Sequence, residues 1–293
     1  MTQQPADLYL ELMKSCLTNA IYGDTARRRP RAGARWKQWV VKALKARDLE
    51  LVQARDVALM SADRDRSGRV DGSEWLPKAH TMIGVRRLDN LQDCIEDVLE
   101  RGVAGDLIET GVWRGGASIF MRAVLKARGV DDRTVWLADS FQGLPPPNDD
   151  EFPADAGDLH HTIDELAVSL EEVQRNFRLY GLLDDRVRFL PGWFKDTLPE
   201  APIERLAVIR IDADMYESTT QVLQALYPKL APSGYVIVDD YGGIPACKRA
   251  VDDYRKAMGI SDEIREIDWT GIYWMRSRDV TSAELRPAAR SAT

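Results

Sequence analysis

The chain is poor in the residues that build cross-links and thiolate metal sites. Its three cysteines, Cys16, Cys94 and Cys247, lie far apart with no CxxC pair, which argues against a disulfide frame or a thiolate zinc centre. No apolar run approaches membrane-spanning length. The opening MTQQPADLYLELMKSC lacks the basic-then-apolar layout of a signal peptide, so the expected location is the cytoplasm. Positive charge is not in excess either. With 40 Lys and Arg against 47 Asp and Glu, the formal net charge is −7, and nucleic acid or an anionic membrane would reward a basic face. There is no GxSxG elbow, no Walker lysine after a glycine loop and no GxGxxG fingerprint.

What is present is an ordinary globular composition of 293 residues, 44% apolar and 30% charged, enough for one good core and an additional element. The stretch 107–118, LIETGVWRGGAS, organises it. An apolar strand turns on Gly111, Gly115 and Gly116 and opens a helix that continues IFMRAVLKA. Glycine at such a turn lets backbone N–H groups approach a ligand where a Cβ would intervene. Glu109, at the strand end, repels phosphate and welcomes a cation such as an amino group. The choice therefore lies between a dinucleotide fold and an S-adenosylmethionine (AdoMet) fold.

Upstream, residues 7–20 place Leu8, Leu10, Leu12, Met13, Cys16 and Leu17 mostly on one helical stripe. The arginine-rich 23–34 reads as a solvated loop or linker, and 36–62 resumes a helical pattern. Residues 63–74, DRDRSGRVDGSE, offer oxygens at positions 1, 3, 5, 9 and 12 of a calcium loop, with Gly68 at position 6. Such loops usually pair, and Pro77 interrupts the helix that should leave Glu74. A polar loop is the preferred reading, and Ca²⁺ binding the alternative.

An amphipathic helix is expected to run through Glu100, and from there strands and helices alternate. Strands are expected at 106–111, 134–139, 187–192, 206–212 and 235–240, with one or two more in the tail. Helices are expected near 116–128, 164–180, 217–230 and 245–258. That alternation predicts a parallel sheet covered on both faces, and the last residues read as a disordered tail.

Ligands of open α/β sheets sit beyond the carboxyl ends of the strands. Those ends carry Glu109, Asp139, Asp212 followed by Asp214, and Asp239 with Asp240. One such acid is a cap or a loop solvator, but clustered carboxylates repel one another unless a cation is present. Asp139, 28 residues beyond Gly111, suits the two ribose hydroxyls of an adenosine cofactor. Asp212, Asp239 and Asp240 come from the ends of two adjacent strands, so their oxygens can converge, and three hard oxygen ligands suit Mg²⁺ or a similar ion. His160 and His161, in the acidic, proline-rich loop 143–163, read equally as acceptor-site or surface residues.

The blocks ETGVWRGGASIFMRA, LADSFQGLP, GWFKDTLP, RIDADMYEST and VDDYGG, preceded by AHTMIGVRRLDNLQ, resemble the macrocin-type sugar O-methyltransferases. The similarity covers about residues 7–20 and nearly all of 72–255. It implies a Rossmann-like class I methyltransferase fold with a mostly parallel seven-stranded sheet. Residues 1–92 would form an N-terminal helical cover with an inserted segment near 24–68, residues 93–283 the core, and 284–293 the tail.

The resemblance further implies AdoMet and Mg²⁺ as cofactors. Glu109, Gly111 and Ser118 would lie at the methionine end, and Asp139 with the neighbouring Ser140 at the ribose. Gly192 and Trp193 would lie near the adenine, and Thr81, Met82 and Ile83 over the cofactor. Asp212, Asp239 and Asp240 would hold the metal, with Asp212, itself beside the cofactor, or Asp214 as base. The acceptor would be a glycosylated small molecule and the protein a homodimer or higher homo-oligomer. In this sequence GSEW (72–75) fills the slot before AHTMIG, so Glu74 has a reason to exist without calcium. Two rival expectations are an NAD-dependent Rossmann oxidoreductase and a calcium-responsive binding protein on a retired enzyme fold.

Overall fold

The computed structural model describes residues 4–21, 27–28, 67–75 and 78–277. Most of the segment 24–68, including Asp63 and Asp65 of the calcium-like motif, and the tail 284–293 lie outside them.

Seven strands form one sheet: β1 (Asp106–Thr110), β2 (Val135–Asp139), β3 (Val187–Pro191), β4 (Leu206–Ile211), β5 (Leu230–Val238), β6 (Arg265–Glu266) and β7 (Ile272–Met275). Their order is β3-β2-β1-β4-β5-β7-β6, and all neighbouring pairs are parallel except β5–β7 and β7–β6, so that β7 alone is reversed. Among the described residues six helices of eight or more residues accompany them: α1 (Pro5–Leu17), α2 (Val85–Glu100), α3 (Gly116–Ala127), α4 (Leu170–Leu179), α5 (Tyr216–Leu226) and α6 (Pro245–Ala257).

Side chains alternate across a strand, and the core divides accordingly. Leu107, Val135, Leu137, Val208 and Ile237 pack under α1, α2, α3 and α4. Ile108, Trp136, Ala138, Ile209 and Val236 pack against α5 and α6. The same alternation places Glu109, Asp139, Arg210, Asp212 and Asp239 on the first face, beneath α2 and α3. Helix α3 is buried from Gly116 to Leu125 because the sheet lies on one side of it and α1 on the other. On α1 the buried residues are Leu10, Met13, Lys14 and Leu17, whereas Leu8 and Leu12 are exposed on the far side, so the expected stripe is narrower than the apolar count suggests. No helix among the described residues is long and apolar enough to cross a membrane.

Two boundaries differ from expectation. Helix α4 begins at Leu170, behind the N-cap Ser169, while Asp164–Leu166 forms a separate 3-10 turn. Strand β5 begins at Leu230, with Ser233 in the left-handed region and a register shift against β4. The turn-like APSG is thus an irregularity inside a strand. In the calcium-like motif Ser67–Asp71 forms one helical turn, and the Asp71 carboxylate accepts the Ser73 N–H at 3.0 Å.

Candidate active site

Gly111 brings the ends of β1 and β4 together. It sits at φ +81°, and a Cβ there would lie 1.7 Å from the Asp212 carbonyl oxygen. Gly116 performs the same service for the cover. A Cβ on it would lie 2.4 Å from the His80 carbonyl oxygen and 2.5 Å from the Thr81 side chain. The segment ahead of α2 is therefore seated directly on the first turn of α3. The Arg114 guanidinium donates to the Ala79 carbonyl at 2.9 Å, and His80 Nδ1 pairs with the Tyr180 hydroxyl at 2.7 Å.

Between these elements lies a small cleft lined by His80, Thr81, Met82, Ile83, Glu109, Val112, Trp113, Gly116, Ala117, Arg210 and Asp212. It gathers five of the residues assigned from sequence to the cofactor: Thr81, Met82, Ile83, Glu109 and Asp212. Gly111 and Ser118 stand beside it, in the turn and in the first turn of α3. Asp139, Ser140, Gly192 and Trp193 lie outside the lining, at the neighbouring ends of β2 and β3, where the Gly192 N–H donates to the Asp139 carbonyl at 2.9 Å. The Asp139 carboxylate accepts the N–H groups of Val112 at 2.6 Å and Phe141 at 2.7 Å. Burial raises its pKa against the pull of those amides. The Ser140 hydroxyl is engaged in its own turn, donating to the Gly143 carbonyl at 2.6 Å and accepting from the Gln142 N–H at 2.9 Å.

Glu109 and Arg210 face each other in register across β1 and β4, both only 2% exposed. One Glu109 oxygen accepts from the Arg210 guanidinium and the other from the Ser118 hydroxyl. Burial pushes the Glu109 carboxyl up to about 7, against the opposing pull of Arg210 and Ser118. The second arm of Arg210 reaches Asp212 Oδ2 at 3.1 Å and Asp239 Oδ2 at 2.6 Å. Asp239 Oδ2 also accepts from Arg87 at 2.7 Å. Arg87, on α2, holds Asp268 through Nε at 2.8 Å and through a second nitrogen at 3.1 Å, and donates to the Thr270 hydroxyl.

A second carboxylate group lies at the same strand ends. Asp212, Asp214 and Asp240 each present an oxygen, and these oxygens all lie within 4.8 Å of one another. Asp239, grouped from sequence with Asp212 and Asp240, has one oxygen between two guanidinium groups. Asp239 Oδ1 and Asp240 Oδ2 are buried without a hydrogen-bond partner. Desolvation and the neighbouring acids raise the pKa of Asp212, and raise that of Asp240 well above the usual carboxylate range.

The loop 143–163 is fastened by Asp155, which is 2% exposed. Its two oxygens accept the Tyr216 N–H at 2.6 Å and the Glu217 N–H at 2.9 Å, in the first turn of α5. His160 pairs with Asp158 at 2.6 Å within the same loop, and His161 is exposed. Arg87, Arg210 and Asp155 were not singled out from sequence. The available signal was the arginine inside the apolar run LAVIRI, facing strand-end acids.

A sheet of this order, with a glycine turn after its first strand and acids at the parallel strand ends, defines a class I methyltransferase fold. The macrocin-O-methyltransferase (TylF) family profile matches residues 6–276, and the chain belongs to that family. It is 51% identical to the 8-demethyl-8-(2,3-dimethoxy-alpha-L-rhamnosyl)-tetracenomycin-C 4'-O-methyltransferase of Streptomyces olivaceus, over 98% of this chain and 99% of that one. It is 50% identical to the mycinamicin III 3''-O-methyltransferase of Micromonospora griseorubida, over 92% and 97%. The solved structure of the O-methyltransferase NovP matches with a TM-score of 0.79 at 48% identity, covering 93% of this chain and all (100%) of that one. The protein is an O-methyltransferase, and the oxidoreductase and non-catalytic readings give way to that class.

Proposed function

We propose that this enzyme transfers a methyl group from AdoMet to a sugar hydroxyl of a glycosylated natural product, in the cytoplasm and with Mg²⁺ bound, as a tailoring step of antibiotic biosynthesis. The observation that carries the metal part is the crowding of carboxylates at the ends of β4 and β5, with two buried oxygens lacking any partner. Among the described residues, Glu109, Asp212, Asp214, Asp239, Asp240 and Asp268 gather around the guanidinium groups of Arg87 and Arg210. Carboxylates crowded together and partly shielded from water either take up protons or recruit a cation. All the available donors are hard oxygens, which suit Mg²⁺. Asp212, Asp240 and the unpartnered Oδ1 of Asp239 would hold it.

On the cofactor side, Glu109 offers a buried negative charge to the ammonium group, with Gly111 and Ser118 at the same methionine end. Asp139, with Ser140 beside it, would receive the ribose hydroxyls, and Gly192 and Trp193 would flank the adenine. Thr81, Met82 and Ile83 close the cover and exclude water. When bound, AdoMet supplies an electrophilic methyl group, and Mg²⁺ lowers the pKa of the acceptor hydroxyl. The residues' own work is to hold oxygen and methyl carbon in line and to take the proton. Asp214 is the base in this reading, because Asp212 already accepts from Arg210 at 3.1 Å and is kept for the ligand role. The exposed Leu8 and Leu12 on α1 support self-association.

Asp240→Asn is expected to lose methyl transfer while binding S-adenosylhomocysteine as the wild type does. An unchanged rate at saturating substrate would refute the metal assignment.

A further inference from the structure

Arg210 occupies the interior of a central strand, where its neighbours Ile209 and Ile211 are fully apolar and buried. A charge buried there is costly unless it is paired, and well-packed apolar side chains often serve stability as well or better. Its pairing is not local. One arm holds the cofactor-side acid Glu109, and the other spans Asp212 and Asp239 on the metal side. Arg87 approaches the same Asp239 oxygen from the cover helix α2 and anchors itself on Asp268. Asp239 Oδ2 is thus bracketed by two guanidinium groups, while its Oδ1 stays buried and unpartnered.

We propose that Arg210, seconded by Arg87, is a resident counter-ion of the divalent site: a positioning residue that keeps Glu109, Asp212 and Asp239 assembled while no cation is bound. The proposal rests on the Mg²⁺ reading above. A guanidinium suits this role because it never deprotonates and its rigid fork can serve several carboxylates at once. It also sets a limit. A fixed positive charge beside the ligands repels the incoming cation, so the enzyme accepts weaker metal binding in exchange for a site that stays assembled without metal. Removing the charge then has two opposite effects: the metal-free protein loses stability, and the metal recovers more of it, because a ligand stabilises the folded state more the more tightly it binds that state.

The test is thermal unfolding of the purified full chain, without cofactor, in EDTA and in saturating MgCl₂, for wild type, Arg210→Met, Arg210→Lys and Arg87→Met. The expected result is a Mg²⁺-induced rise in Tm about twice as large in Arg210→Met as in wild type. Arg210→Lys, which keeps the charge, should respond nearly as wild type does. A purely structural arginine would lower Tm equally in both buffers, and that outcome would overturn the proposal. Should Arg210→Met fold in neither buffer, Arg87→Met decides: an enlarged rise supports the role, and a wild-type rise refutes it. If Mg²⁺ shifts no variant and not the wild type, the metal reading itself falls and takes the counter-ion with it.

Discussion

Glu109 is held between a hydroxyl and a guanidinium and is fully desolvated, which places its carboxyl near neutrality, at about 7. A folded-state pKa above the usual glutamate value means that the buried side chain takes up a proton already as pH falls through that point. An ammonium group is bound only by the anion. Affinity for S-adenosylhomocysteine should therefore rise as pH increases through about 7 and level off above it, measured by calorimetry. Glu109→Gln should abolish that limb and weaken binding by roughly 10- to 100-fold, the loss of one charge-assisted hydrogen bond. For the base, Asp214→Asn should lower kcat by about 10² to 10⁴ and leave that dissociation constant unchanged, as read by methyl-transfer assay and calorimetry on one preparation. The strand-end acids were legible because each closes an apolar run. Arg210 was not, because its meaning lies in the register that sets it opposite Glu109, and a single sequence does not state register.

Among the elements, the cover and the acceptor loop are each held by one small device. Gly116 lets the segment before α2 rest on α3, and a methyl group there meets backbone atoms that cannot swing aside. Gly116→Ala should lift the cover and lower S-adenosylhomocysteine affinity at least about tenfold, the order set by a misplacement of a few tenths of an ångström in a packed contact. Asp155 ties the loop 143–163 to the N-terminus of α5. Its replacement by Ala should remove a cap worth about 1 to 2 kcal/mol, lower Tm, and raise KM for the acceptor without changing cofactor binding. The helices and parallel strands were legible from periodicity and from their apolar runs. The start of β5 and the first half of the 164–180 segment were not. APSG carries turn chemistry although its backbone joins the sheet, and 164–168 has too few buried residues to hold a helix against its own 3-10 turn.

At the scale of the whole molecule, strand alternation sorts apolar residues to both faces and charged ones to the α2–α3 face, so a single sheet positions both half-sites. The fold was legible because that alternation and the glycine turn are local features of the chain. The approach of Asp214 to Asp212 and Asp240 was harder to read, since it depends on a left-handed turn at φ +55°. The most direct measurement is transfer of labelled methyl from AdoMet to a panel of glycosides and their sugar-free aglycones, in MgCl₂ and in EDTA. The expected result is incorporation into a glycoside alone, lost in EDTA and restored by excess Mg²⁺. Incorporation that persists in EDTA, or that falls on an aglycone, would contradict a metal-dependent sugar O-methyltransferase.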